Sequence, residues 1–262
     1  MRGLLAVSRY EFRMQVRKRS LWLATLPLAG LVTLSQGEAG PRYLPDTAPA
    51  REVMSGWALV FGLMMPIAFG MVLADRLVRD RRLNTVALLE SLPTGQGVLL
   101  AGKYLGGVAA TALPGLLVMV LAGGYESVHR SDPAMLGWAV LAFALVLLPG
   151  LLFVAGFALV CPLVLTAPLF RVLFVGYWFW GNALNPELLP SLAGTLLTPI
   201  GDYQVSWLIG ERALYAGVSN WPEFLRPAPS AGSALASIAL LVVGGLVPLV
   251  VAHAVLTRRR TA

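Results

Sequence analysis

The sequence is poor in charge. Of its 262 residues only 13% are charged, whereas 57% are hydrophobic. A soluble domain carries about 25% charged residues, and surface-to-volume scaling prevents a water-soluble chain of this length from hiding so much apolar surface. A soluble enzyme, a secreted disulfide scaffold and a disordered tail are therefore excluded.

Cysteine and histidine are almost absent. The single cysteine, Cys161, allows neither an intrachain disulfide nor a cysteine-based metal cluster. There are two histidines and no HExxH or GxSxG motif, so no catalytic site is predicted. Glu126, His129 and Asp132 are spaced like metal ligands, but we interpret this segment as a solvated loop between two spans.

Long apolar runs are what the sequence has instead. A helix needs about 20 apolar residues to cross the ~30 Å hydrocarbon layer of a membrane. Cys161 and Pro162 alone interrupt the sequence between the fourth and fifth runs. The six predicted spans are residues 21–35, 54–74, 104–122, 134–160, 163–180 and 234–256.

The basic residues orient these spans. Lysine and arginine accumulate on the cytoplasmic side of membrane proteins. With six spans, the basic N-terminus and the arginines at 258–260 lie on one side, together with most of the 20 lysines and arginines. The sequence therefore predicts a protein of the bacterial plasma (inner) membrane with both termini in the cytoplasm. The net charge of +7 reflects this asymmetry, and we expect no nucleic-acid partner.

The predicted spans contain almost no ionisable residue. Arg171 in the fifth span is the exception. Ion-coupled carriers usually show carboxylates or broken helices near the membrane midplane, and neither is recognisable in this sequence. If the protein transports a substrate, its energy is therefore expected to come from elsewhere.

Residues 97–104 nearly spell the phosphate-binding motif GxxxxGK[ST]. Tyr104 stands where that motif needs a short hydroxyl side chain for magnesium, and no strand is predicted before it. We therefore expect no cofactor or metal in this chain and no enzymatic activity of its own. Gly102 and Gly106 instead form a GxxxG pair, which lets a second helix approach closely.

The predicted cytoplasmic segments begin with residues 1–19. Arg9, Arg13 and Arg17 form one stripe of a helix and have apolar residues on both flanks. This pattern predicts a helix that lies at the inner interface and binds membrane lipid. A plain positively charged anchor is the alternative.

The second cytoplasmic segment covers residues 76–97, between spans two and three. A charged cluster around Asp80 precedes a short helix-compatible run that ends before Pro93. Leu88 and Leu89 are apolar in a segment that should face the cytosol, so a partner is needed to cover them. A lipid-facing extension of span two or three is the alternative.

The segment 181–232, on the outer side, is too polar and too broken to span. Residues 188–200 are too few to cross and predict a re-entrant element. Asp202 is expected to cap a helix that reaches Ala216 and ends at Gly217. An aromatic belt at the outer interface is predicted from Tyr177, Trp178 and Trp180.

In order and spacing these features resemble the type-2 ABC exporter permeases. That family has an acidic–basic cluster, a Gly-Thr-Leu-Glu-x-Leu-Leu-like run, Leu-Pro, and an apolar run that ends in Gly-Lys. Asn84 replaces the usual glycine and Ala87 the usual acid, with Glu90 three residues later. The matching positions are Asp80-Arg81, Asn84-Thr85-Val86, Leu88-Leu89, Leu92-Pro93 and residues 99–103.

The resemblance implies a single all-α permease domain over residues 1–262, with six spans, an interfacial elbow helix, a coupling helix and short outer re-entrant helices. It implies a second permease subunit, as homodimer or heterodimer, and two ATP-binding subunits that hold ATP and magnesium. The coupling residues would be Asp80, Arg81, Arg82, Thr85, Leu88, Leu89, Glu90 and Pro93. The outer gate segment would contain Pro186, Pro190, Pro199 and Tyr203, and the elbow helix Arg9, Arg13 and Arg17.

The function expected from the resemblance is ATP-driven export through a path lined by apolar and small side chains. Such a lining suits a lipophilic or amphipathic cargo: a drug, a peptide, a lipid or a lipid-linked molecule. Alternatives are an ABC permease that serves cofactor or metal-site assembly, a carrier or channel of another fold, an intramembrane enzyme, and a membrane scaffold or immunity protein.

Overall fold

The computed structural model describes residues 2–37, 40–74, 76–82, 95–212, 214 and 223–261. Over these residues the fold is all-α, with 78% helix and no strand, as the apolar composition predicted. The ten α-helices of this part are α1 Arg2–Val16, α2 Arg19–Leu34, α3 Ala50–Leu73, α4 Arg76–Arg82, α5 Gln96–His129, α6 Ala134–Ala142, α7 Leu148–Val160, α8 Ala167–Asn182, α9 Asp202–Leu208 and α10 Ala231–Thr261.

Four helical segments of the described chain are long and apolar enough to cross a membrane. They are Ala50–Arg79, Gln96–His129, Ala134–Leu163 and Ala231–Val255. This is the character of a multi-pass membrane protein. The predicted first and fifth spans correspond to α2 and α8, which have 16 residues each and are about 24 Å long at 1.5 Å per residue.

The boundary between the fourth and fifth predicted spans lies where proline was expected to place it. α7 ends at Val160, a 3-10 turn covers Cys161–Leu163, and α8 begins at Ala167. Upstream, a π-helical turn at Phe143–Leu147 joins α6 to α7. The unit 134–163 is therefore one long, slightly irregular helix.

Glycines set the closest helix contacts. A Cβ added to Gly102 would lie 2.6 Å from the Val7 side chain, and one added to Gly106 would lie 2.6 Å from the Ser8 carbonyl oxygen. The close approach predicted for this glycine pair is confirmed, and the helix that approaches is α1. A second close contact joins α7 to α10, where Gly156 faces the Gly245 carbonyl.

Two local predictions are wrong. Trp178 is fully buried in the core rather than placed in an interfacial belt, and its indole N–H donates to the Leu63 carbonyl. α9 ends at Leu208, well before Ala216, because the next residues turn back. Gly210 has a φ of 91° and Glu211 one of 61°, so both are in the left-handed region that ends a helix.

Candidate functional site

A buried ion pair that the sequence did not reveal joins α1 to α4. Arg76, at the start of α4, donates from Nε to one carboxylate oxygen of Glu11 on α1 and from Nη2 to the other at 2.8 Å. The Gln15 amide donates to the same carboxylate at 3.0 Å. Glu11 is 1% exposed. We call Glu11, Gln15 and Arg76 the Glu11 cluster. Because the Arg76–Glu11 contact is bidentate and buried, the cluster fixes the orientation of α4 on α1.

Helix α1 contacts the chain on both sides of residues 83–94, in the predicted coupling segment. α4 ends at Arg82 and α5 begins at Gln96. α4 is tied to α1 by the ion pair, and α5 is tied to α1 by the glycine contacts near its own start. Both flanks of residues 83–94 are therefore attached to the same helix.

The predicted coupling residues are only partly placed. Asp80, Arg81 and Arg82 form the last turn of α4. The remaining positions lie outside the described residues, and their contact with a partner stays a prediction. These positions are Thr85, Leu88, Leu89, Glu90 and Pro93.

The three arginines of the predicted interfacial helix share one exposed face. Arg9 and Arg13 are exposed on α1, and Arg17 is exposed directly after it. Leu5 and Tyr10, at 69% and 68% exposure, lie on the same face. A basic face with exposed apolar side chains has the composition of a membrane-surface helix, and this role of α1 remains a prediction.

On the opposite side a loop enters the helix bundle. We call residues 191–201 the inserted loop. The Pro199 carbonyl lies against Gly150, at the centre of the 134–163 unit, and the Ile200 carbonyl lies 3.1 Å from where a Gly62 Cβ would be. Gly62 follows Glu52 by ten residues, or about 15 Å along α3, so the loop reaches well into the helix bundle.

The chain then returns toward the surface along α9. The Arg212 guanidinium lies 3.9 Å from the Glu52 carboxylate, at the first turn of α3. The inserted loop therefore enters the helix bundle and leaves it again without crossing it, and its re-entrant position in a membrane stays a prediction. Between Ala183 and Gly201 the chain is built from turns and contains no α-helix, unlike the short helices that the resemblance implies for this place.

Hydrogen bonds hold this non-helical segment to its neighbours. The Gln204 amide donates to the Ser237 hydroxyl of α10 at 3.3 Å, and Ser237 donates to the Leu196 carbonyl at 2.8 Å. The Tyr203 hydroxyl donates to the Pro227 carbonyl at 2.8 Å. Buried irregular backbone is stable where protein groups pair its polar atoms, and these contacts satisfy the Leu196 and Pro227 carbonyls.

The four predicted gate residues are not all brought together. Pro199 and Tyr203 are buried at the deep end of the inserted loop, whereas Pro186 is buried earlier in the chain and Pro190 is exposed. Sequence reasoning missed the buried polar side chains of the loop and of the first turn of α9, and it gave Asp202 only a capping role. The missed residues are Ser191, Thr195, Thr198 and Gln204.

Asp202 joins the loop to α9 without capping it. Gly201, with a φ of 88°, occupies the N-cap position. One Asp202 carboxylate oxygen accepts the Gly194 N–H at 2.7 Å, and the other is buried without a partner in the described part. Burial raises the pKa of Asp202 to about 6, against the opposing effect of hydrogen bonds from Gly194 and Thr198.

This pKa predicts a pH-dependent stability. A carboxyl whose pKa rises from 3.8 to about 6 on folding holds its proton more tightly in the folded state. Its contribution is therefore greatest below pH 3.8 and falls as the pH rises toward 6. Relative to D202N, the wild type should lose about 2 kcal/mol, or roughly 4 to 8 °C in apparent Tm, between these limits. Parallel pH profiles of both proteins measure this difference, and two profiles of the same shape would contradict it.

A second buried ion pair lies at the C-terminal end of α5, next to the N-terminal half of α3. Glu126 and Arg130 pair at 2.7 Å, and both side chains are 1% exposed. The Trp57 indole donates to Glu126 at 3.0 Å. His129 stacks on Tyr125, and the described residues contain no cluster of metal ligands. The interpretation of residues 126–132 as a solvated loop is therefore wrong for Glu126 and His129, which lie in the last turns of α5, and Glu126 is buried there.

The phosphate-motif look-alike is helical. Residues 97–104 lie inside α5, so their backbone N–H groups point along a helix and do not cradle a phosphate. Comparison of the chain with family models, with curated proteins and with solved structures gives no match. Function is therefore argued from the inserted loop and the Glu11 cluster.

Proposed function

We propose that this chain is the membrane permease subunit of an ATP-driven exporter. It would move a lipophilic or amphipathic cargo and take its energy from separate ATP-binding subunits. The observation that carries the proposal is the inserted loop, which places turns and buried polar groups near the middle of the helix bundle. A purely structural membrane anchor has no need of such an element, whereas transporters use irregular backbone at this depth for gating and binding.

The cytoplasmic side supports a partner as the energy source. Residues 83–94 are held at both flanks by α1, through the Glu11 cluster and through Gly102 and Gly106. A segment anchored in this way transmits a push from a docked subunit to α1 and α5 together. The resemblance to type-2 ABC exporter permeases, carried by Leu88, Leu89 and Pro93, identifies the proposed partner as an ATP-binding subunit.

The proposed arrangement has six spans, with α2 and α8 added to the four long apolar segments. Both termini would lie in the cytoplasm, and the inserted loop would enter from the outside of a bacterial inner membrane. A second permease subunit would complete the path. Its lining would come from apolar and small side chains, which favours a lipophilic or amphipathic cargo over an ion.

The proposal is tested through the association of the chain with an ATP-binding subunit. We expect the double substitution Leu88→Asp and Leu89→Asp to reduce copurification of the ATP-binding subunit at least tenfold, because two apolar anchors of the contact become charged. The measurement is native mass spectrometry of the tagged protein purified from its own host.

The matched control is Leu88→Met with Leu89→Met, which keeps both positions apolar and should retain the partner. Membrane insertion should be equal in all three proteins. Wild-type protein that carries no ATP-binding subunit, in conditions that preserve other such complexes, would overturn the proposed energy source. Equal copurification with the aspartate variant would reject the coupling segment alone.

A further inference from the structure

An apolar groove runs between α2, α3 and α5 and opens toward the lipid. Its volume is about 340 Å³, at the small end of the about 300–1,000 Å³ range of ligand sites. Leu26 and Leu121, which are exposed, border its opening. Trp57 and Phe61 form its floor, stacked at 5.3 Å.

Arg42 is the only charged residue that lines this groove within the described chain. Its guanidinium lies 5.9 Å from the centre of the Tyr125 ring, at the end of the groove. No carboxylate of the described residues pairs with it in a salt bridge. The nearby Glu126 carboxylate is fully engaged by Arg130 and by the Trp57 indole, so it does not neutralise Arg42.

The position of Arg42 is built into the fold. It belongs to the 3-10 turn Pro41–Tyr43, in which Pro41 is buried. The buried Arg130 side chain donates to the Pro45 carbonyl at 2.6 Å and to the Leu44 carbonyl at 3.0 Å. The second ion pair therefore holds the turn that presents Arg42 at the end of the groove.

We infer that this groove binds one acyl chain of an anionic phospholipid, with the phosphate on Arg42. The cation at the end of the groove complements a phosphate, and arginine is the side chain best suited to bind one. Since a water molecule takes about 30 Å³, the groove has room for about eleven groups of that size, which holds part of one acyl chain and leaves no space for a second. The second chain of the lipid stays in the bilayer at the opening. This inference does not depend on the proposed transport function.

The test uses the full-length protein reconstituted with equal amounts of phosphatidylglycerol and phosphatidylcholine. After gentle extraction, native mass spectrometry counts the lipids that remain bound. We expect wild type to retain one phosphatidylglycerol in preference to phosphatidylcholine. Arg42→Gln should reduce this preference roughly tenfold, the size of a charge-assisted contact at a partly exposed site. Arg51→Gln removes the same charge from an exposed position nearby and should change nothing.

A second pair of variants tests the chain-binding part. Gly30 lines the groove, and a Cβ added there meets nothing within 4 Å, so Gly30→Leu fills the groove without disturbing the helix. It should lower retention of both lipids, whereas Gly176→Leu, at an equally open helical position outside the groove, should not. Equal retention of the two lipids by wild type would overturn the inference, and so would unchanged retention in Arg42→Gln or in Gly30→Leu.

Discussion

Replacing Gly156 by alanine should destabilise the protein by about 3 kcal/mol or more, because the new methyl group overlaps a backbone carbonyl. A Cβ at Gly156 meets the Gly245 oxygen inside van der Waals contact. A backbone oxygen cannot rotate away as a side chain does, so α7 and α10 must separate along their whole contact. Overpacking costs about 1 to 3 kcal/mol where side chains yield, and here they do not.

The geometry makes α10 sensitive to this separation. Only 28% of the apolar window of this helix is buried inside the described structure. Its attachment therefore depends on a narrow contact with α7. In this contact a Cβ added to Gly245 would lie 2.6 Å from the Leu152 carbonyl oxygen. The loss of this contact should lower the apparent Tm by about 6 to 12 °C.

The measurement is thermal unfolding of the detergent-solubilised protein, followed by tryptophan fluorescence. Gly176→Ala is the matched control, since nothing lies within 4 Å of its added Cβ; it should be neutral or stabilise by up to about 1 kcal/mol. The expected loss of stability is largest for Gly156→Ala, smaller for Gly245→Ala and smallest for Gly176→Ala. A Gly156→Ala protein as stable as the Gly176→Ala protein would show that the two helices are not in close contact.

The parts of the fold that the sequence predicted are those encoded locally. Apolar length marked the four long helical segments, and proline marked the break after Val160. The pair Gly102 and Gly106 predicted a close helix contact but did not identify the helix that makes it. α1 satisfies this contact through Val7 and Ser8, and no periodicity in the sequence connects these two places.

The parts that were missed depend on contacts between distant residues. Glu11 and Arg76 are 65 positions apart, and the Arg130 contact with Pro45 joins residues 85 apart. The length of 188–200 indicated only that it is too short to span, whereas its depth in the helix bundle is set by the spaces that Gly62 and Gly150 leave for a backbone. Trp178 was misplaced because an indole suits either an interface or a buried site with a carbonyl acceptor.

Arg76→Ala should be as damaging as the glycine substitution, for an electrostatic reason. It leaves the Glu11 carboxylate buried without its guanidinium partner, while the Gln15 amide still donates to it. Breaking a buried ion pair by removing one partner costs about 3 to 5 kcal/mol, because an uncompensated charge remains. The measurement is again the apparent Tm, with an expected fall of about 6 to 20 °C.

The control is the double variant Glu11→Met with Arg76→Met, which removes both charges and keeps apolar volume. Replacing a whole buried ion pair in this way is often neutral or stabilising, so the double variant should be more stable than Arg76→Ala. A double variant that is no better than the single one would show that side-chain volume, or other contacts of Arg76, matters more than charge.

The same double variant separates a packing role from a positioning role. If the Glu11 cluster serves only to hold α1 and α4 together, restored stability should, under the proposed function, also restore stimulation of ATP hydrolysis in the proposed complex with ATP-binding subunits. If the pair orients the flank of residues 83–94, stability returns while stimulation stays low, because methionines pack without fixing direction. The second outcome is the one we expect, since a bidentate guanidinium–carboxylate pair constrains angle as well as distance.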